Sequence, residues 1–256
     1  MRIAILDDYQ HVALASADWG KLAGQPEITV FSTHIARPDA LVEAVAPFDV
    51  IVAMRERTPF PAGLLARLPE LRLLVTTGMA NASIDMAAAA GLGVTVCGTS
   101  GTGAATAELT WGLILALVRH IPEEDQRIRQ TARAGGAAVG SRGGWQQTVG
   151  FGLNGMRLGI VGLGRIGRQV AGIGRAFGMK VAAWSQNLDP EIARKASVKP
   201  VSKEKLFSRS DVVTIHYKLS DRSAGLVGVL LHRFIGMPCG VRKYLQQIVD
   251  LPQQRR

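Results

Sequence analysis

The stretch Leu158-Gly159-Ile160-Val161-Gly162-Leu163-Gly164-Arg165-Ile166-Gly167 decides the reading of this chain. It is a short apolar strand that runs into a G-x-G-x-x-G turn. Arg168-Gln169-Val170-Ala171 opens a helix behind it. Each glycine has its own physical reason. Gly162 makes the tight turn, Gly164 lets a pyrophosphate approach the backbone, and Gly167 lets helix and strand pack closely. The helix N-terminus adds unpaired N–H groups and a partial positive charge for the phosphates. A second strand over 180–184 follows, the context a dinucleotide site requires; a glycine-rich turn without a ligand is the bland alternative.

Outward from this motif, strand-like and helix-like segments alternate. Short β-rich runs fall at 2–6, 28–31, 50–54, 71–76 and 94–97, with helical patterns at 36–45, 62–68 and 84–90. Such alternation predicts a parallel sheet covered by helices. A long apolar helix is expected over 104–120, ended by Pro122, and a further helix runs to about Arg133. Residues 134–155, Gly-rich and containing Trp145, read as a loop wrapping between domains. A third strand of the second unit lies at 211–216. The predicted fold is α/β, with two doubly wound, parallel-sheet (Rossmann-like) domains, the second incomplete. The predicted divisions are a flavodoxin-like domain over 1–100, the first half of a nucleotide-binding domain over 101–228, and an aberrant, poorly ordered tail over 229–256.

Bulk properties narrow the classes. The chain has 256 residues, 47% hydrophobic and 20% charged, and no uncharged run reaches the length of a membrane span. Its formal charge is +10, but the cations are scattered without a run of five, so a basic solvated surface is expected rather than a nucleic-acid or membrane interface. Met1-Arg2 leads directly into a strand rather than a signal peptide. Two cysteines, Cys97 and Cys239, suggest no disulfide framework and imply a cytoplasmic setting.

Several segments in one order resemble the D-isomer-specific 2-hydroxyacid dehydrogenases. They are Thr77-Gly78-Met79-Ala80-Asn81 before Ile84-Asp85, Thr106-Ala107-Glu108-Leu109-Thr110, Trp145 with the glycine motif, and Asp211-Val212-Val213-Thr214-Ile215-His216 with the segments Leu219-Ser220 and Gly225-Leu226-Val227-Gly228. The likeness covers about residues 1–228. It implies a substrate domain, a nicotinamide domain and a cleft between them. It also implies NAD or NADP as cofactor, a small 2-hydroxy or 2-oxo acid as substrate, and a homodimer formed through the cofactor domain.

By the same resemblance, Gly162, Leu163, Gly164, Arg165, Ile166 and Gly167 hold the pyrophosphate, Thr106 lies near the nicotinamide, and His216 closes the adenine side. Backbone amides of Gly78, Met79 and Ala80 receive the substrate carboxylate. Arg55 or Arg57 sits on a substrate-facing loop, the alternative being a solvated loop charge.

Two departures from the family pattern stand out. The residue ending the second strand of the nucleotide domain is Ser185 rather than an acid, which leaves NAD or NADP open. Lys218 could supply a charge there, or be a surface lysine. The pattern also stops after Gly228. The family's Asn-Thr-x-Arg-Gly turn, its glutamate and its Pro-His pair do not occur in 229–256. No catalytic residue is therefore assigned, and His232 is set aside as incidental. The Gly-rich strand is expected to lack a partner on one side, leaving the ligand crevice unformed. These departures imply a family enzyme with little or no activity; a degraded gene product and a corepressor-like dinucleotide-binding protein are the alternatives.

Overall fold

The computed structural model describes residues 1–101, 103–133, 146–217, 223 and 225–226. The chain forms two units, Met1–Thr102 and Gly103–Arg256. Trp145, Lys218, Leu219-Ser220 and the 229–256 segment, with His232 and Cys239, lie outside the described residues.

The first unit runs β1 (Arg2–Ile5), β2 (Glu27–Val30), α1 (Pro38–Val45), β3 (Val50–Ala53), α2 (Ala62–Leu65), β4 (Leu73–Thr76), α3 (Met86–Gly91) and β5 (Thr95–Gly98). Its strands are parallel in the order β2-β1-β3-β4-β5, a doubly wound topology. Period-two alternation splits β1 between two cores. Ala4 faces Leu41, Val45, Ile51, Leu65 and Leu74, whereas Ile3 and Ile5 pack with Ala13 and Val50. Burial on both faces explains why these strands read as continuous apolar runs. Pro38 starts α1 in its first turn, and Asp85 caps α3 by accepting the Ala88 N–H at 2.9 Å.

The second unit runs α4 (Ala104–Val118), α5 (Ile121–Arg133), β6 (Arg157–Val161), α6 (Arg165–Ala176), β7 (Lys180–Trp184), α7 (Pro190–Lys195), β8 (Lys199–Pro200), α8 (Lys203–Arg209) and β9 (Val212–Ile215). Among the described residues its sheet has four parallel strands in the order β8-β7-β6-β9. The expectation that the Gly-rich strand lacks a partner is corrected. Strand β6 pairs β7 on one side and β9 on the other. The segment over 211–216 is the fourth strand in sequence, and the third is β8, a two-residue Lys-Pro strand that carries no β signal. The point where strand order reverses, between β6 and β9, is therefore built.

Both units pin that central pair in the same way. The Arg2 N–H donates to Asp49 Oδ2 at 2.7 Å while Asp49 N–H donates to Arg2 O at 3.0 Å. In the second unit Arg157 N–H donates to Asp211 Oδ2 at 2.7 Å, and Asp211 N–H returns to Arg157 O at 2.9 Å. Each carboxylate sits just before the strand that crosses the reversal and fixes its register.

Helix α4 packs on α6. Trp111 is 4% exposed, donates from its indole N–H to Val170 O at 3.3 Å, and lies 4.9 Å from the Phe177 ring. Pro122 does not follow the end of a helix; it stands in the first turn of α5, where a missing N–H is harmless. The break is at His120, whose φ of 55° is left-handed. Among the described residues, no single helix is long and apolar enough to cross a membrane.

Candidate dinucleotide and carboxylate sites

The turn between β6 and α6 has the geometry its glycines predict. Gly162 has φ +94°, and its N–H donates to Trp184 O at 2.9 Å. A Cβ on Gly162 would meet His216 O at 2.8 Å, and one on Gly167 would overlap the Gly162 carbonyl oxygen. At Gly164 a Cβ would meet nothing within 4 Å among the described residues. Two glycines are therefore required by the fold, whereas Gly164 borders open space. It is the N-cap of α6 and, having no side chain, caps none of the first-turn amides itself. A helix N-terminus capped by a glycine, beside space clear of the described side chains, fits a pyrophosphate.

Leu163 is 5% exposed and packs into the core with Leu158 and Ile160, so only its backbone can face the turn. Arg165 and Ile166 open α6. Gly103, the left-handed N-cap of α4, approaches them: its Cβ would lie 3.1 Å from Ile166 Cγ1 and 3.5 Å from Arg165 Nε. Thr106 is exposed in the first turn of α4 and accepts the Thr110 hydroxyl through its carbonyl at 2.8 Å. The helix over 104–118 thus brings Thr106 to the glycine-turn end of the sheet.

Ser185 directly follows β7. His216 follows β9, donating its N–H to Val161 O at 2.8 Å, while its Nε2 shares a hydrogen bond with the Thr214 hydroxyl. Burial pushes its imidazole below the usual histidine range, favouring the neutral form. The glycine turn, Ser185 and His216 lie at the carboxyl ends of three adjacent strands, where ligands of doubly wound sheets bind.

In the first unit the loop after β4 meets the loop after β3. Arg55 has φ +55°, and its guanidinium lies against Gly78; a Cβ there would be 2.5 Å from Arg55 Nη1. The Arg55 N–H donates to Thr77 Oγ1 at 3.1 Å, and Asn81 Nδ2 donates to Arg55 O at 2.7 Å. The Gly78 N–H is already donated to Thr99 Oγ1 at 2.9 Å. That leaves the exposed Met79 and Ala80 amides, which have no hydrogen-bond partner among the described residues. Arg55 thus lies against Gly78, next in sequence to the exposed Met79 and Ala80 amides, an arrangement of donors that could receive a carboxylate.

Arg57 goes elsewhere. Its Nη1 donates to Asp7 O at 2.6 Å and its guanidinium lies 4.5 Å over the Tyr9 ring. Asp7, 2% exposed and left-handed, also accepts the Thr58 hydroxyl at 2.6 Å, the Tyr9 hydroxyl at 3.1 Å and faces His34 Nδ1 at 3.0 Å. Burial and the Asp7 hydrogen bond raise the Tyr9 phenol above its usual range. This cluster ties together the ends of β1, β2 and β3 and fixes the loop that carries Arg55. Asp7 and His34 had no pattern in sequence to announce them, and Asn81, though part of the loop segment that carries the resemblance, was given no role there. Among the described residues no group of three His, Cys, Asp or Glu could hold a metal.

These features define a dinucleotide-binding α/β protein. Residues 111–231 match the family model described as D-isomer specific 2-hydroxyacid dehydrogenase, NAD binding domain, and the chain belongs to that family. It is 38% identical over 168 residues to a glyoxylate reductase of Aeropyrum pernix, covering 64% of this chain and 49% of that one. It is 32% identical over 177 residues to the D-3-phosphoglycerate dehydrogenase of Rattus norvegicus, covering 68% of this chain and 31% of that one. A crystal structure of a phosphoglycerate oxidoreductase from Vibrio cholerae superposes with a TM-score of 0.76 at 35% identity, over 88% of this chain and 69% of that one. The chain thus spans about half or less of these two curated relatives.

Proposed function

We propose that the chain performs the recognition steps of nicotinamide-dependent oxidoreduction of a small 2-hydroxy or 2-oxo acid. NAD or NADP is held at the Gly162–Gly167 turn, with α6 amides on the pyrophosphate. The substrate carboxylate is received by the Met79 and Ala80 amides and the Arg55 guanidinium. When bound, the nicotinamide supplies or accepts the hydride. The observation that carries this reading is the open space at Gly164, the glycine cap of α6, at the strand-order reversal.

Turnover is a separate matter. Residues 229–256 hold neither the family's Arg-containing turn nor its Glu and Pro-His pair, and loss of a general acid alone costs about 10²–10⁴-fold in rate. These 256 residues by themselves are therefore expected to bind without efficient turnover. Pairing of two copies is part of the proposal, supported by Leu109 and Leu113, 64% and 62% exposed on α4. A cytoplasmic location is also proposed, supported by Cys97 as an exposed free thiol.

The test is a titration with glyoxylate in the presence of NADPH, following amide NMR shifts and the absorbance of the reduced nicotinamide. The expected result is saturable movement of the Met79 and Ala80 resonances, weakened at least tenfold in Arg55→Gln, without ordinary rates of NADPH loss. Unmoved resonances would remove the carboxylate assignment, and ordinary rates would remove the claim about turnover.

A further inference from the structure

The carboxyl end of β7 lacks the group that dinucleotide sites use to select an unphosphorylated ribose. A carboxylate there accepts hydrogen bonds from the 2′-hydroxyl and repels a 2′-phosphate. The turn here runs Ser185-Gln186-Asn187-Leu188, with no acid. The acids that follow are committed to α7. Asp189 caps that helix by accepting the Glu191 N–H at 2.8 Å, and Glu191 pairs with Arg194 at 2.9 Å.

A cation and a phenol occupy the surroundings instead. Lys203, the first residue of α8, places its ammonium 5.5 Å from the centre of the Trp184 indole. Trp184 is the residue before Ser185. The same indole stacks with the Tyr217 ring at 6.4 Å and 20°. The Tyr217 hydroxyl accepts the Gln186 N–H at 3.1 Å. Tyr217 Cδ2 also lies 3.1 Å from where a Gly162 Cβ would be. Tyr217 therefore reaches from the end of β9, past the glycine turn, to the turn after β7.

We propose that Ser185, Lys203 and Tyr217 form a selector for a 2′-phosphate, so that this chain binds NADP(H) in preference to NAD(H). The proposal rests on the dinucleotide reading of the Gly162–Gly167 turn and deepens it. Lys203 is the specificity-determining cation and Tyr217 the positioning residue. A phosphate monoester carries about −1.5 to −2 charges at pH 7. The ammonium is held in place by the indole face, which reduces the side-chain ordering that binding must impose. Ser185 adds a neutral hydroxyl donor, and the Tyr217 hydrogen bond holds the turn in shape before any ligand arrives. Glu204, the nearest acid on α8, projects about 100° round the helix from Lys203.

The experiment is calorimetric titration of the full chain with 2′,5′-ADP, 5′-AMP, NADP⁺ and NAD⁺. The phosphorylated member of each pair is expected to bind at least tenfold tighter. Lys203→Gln abolishes that margin and leaves 5′-AMP affinity unchanged. Tyr217→Phe weakens all four nucleotides. Thermal melts confirm that both variants fold. Equal or tighter binding of 5′-AMP and NAD⁺ overturns the selector while leaving the dinucleotide site standing. A margin that survives Lys203→Gln overturns the role of Lys203. Binding of none of the four overturns both the selector and the reading beneath it.

Discussion

Gly164 and Gly167 stand three residues apart in one turn, yet alanine at the two positions is expected to do different things. At Gly167 the new Cβ would overlap the Gly162 carbonyl oxygen and lie 3.3 Å from Ile160 Cγ2. The first obstacle is backbone, in a turn held at φ +94°, and cannot swing aside. Overpacking costs about 1–3 kcal/mol, and a backbone obstacle belongs at the upper end. At about 2–4 °C per kcal/mol for a unit of this size, Gly167→Ala should melt about 6–12 °C lower. Gly164 has φ −76° and ψ −160°, which any residue adopts, and its Cβ would meet nothing within 4 Å among the described residues. Exchanging glycine for alanine at an N-cap costs about 0.5–1 kcal/mol, so its melt should fall by only about 1–4 °C. Its methyl instead fills the space assigned to a pyrophosphate, so nucleotide affinity should fall at least tenfold, about 1.4 kcal/mol. Thermal melts by circular dichroism and calorimetric titration with NADP⁺ measure the two effects separately. A Gly164→Ala melt as low as that of Gly167→Ala, or unchanged affinity in Gly164→Ala, would refute the reasoning.

Other perturbations probe the supports of the two sites. Asp7→Ala removes an acceptor from Thr58, Tyr9 and His34 at a position 2% exposed; denaturant unfolding should show a loss of about 2–3 kcal/mol, and a change under about 0.5 would contradict the cluster's role. Asp49 is held below the usual carboxylate range, first by the Arg2 amide. Its stabilising contribution is therefore complete above the ordinary aspartate value of about 3.9 and is lost as pH falls through the lower folded value. Asp49→Asn should accordingly flatten the acid arm of the stability profile below about pH 4, and superimposable arms would contradict this. Leu109→Glu with Leu113→Glu should shift sedimentation from dimer to monomer; unchanged sedimentation would remove α4 from the proposed pairing surface.

Much of this architecture is written locally. Apolar runs bounded by polar turns place β1, β3, β6 and β7 because parallel strands are buried on both faces. The glycine spacing identifies the nucleotide turn because each glycine answers a separate steric demand. What sequence reading missed depends on distant partners. Strand β8 is two residues long and exists through pairing with Ala182 and Ala183. Without it, the segment 211–216 is counted as the third strand rather than the fourth, and β6 is left without a neighbour. The break at His120 depends on a left-handed residue with no glycine to signal it. Likewise, Arg55 and Arg57 look equivalent in sequence, and only Gly78 and Asp7 send them to different places.

The central claim is that the β6–α6 turn is a working dinucleotide site, and amide NMR of the full chain titrated with NADPH tests it most directly. The account predicts saturable shifts centred on 162–167, with smaller ones at Ser185, Gln186 and His216. A folded protein whose resonances at these positions stay fixed at millimolar NADPH and NADH would contradict it.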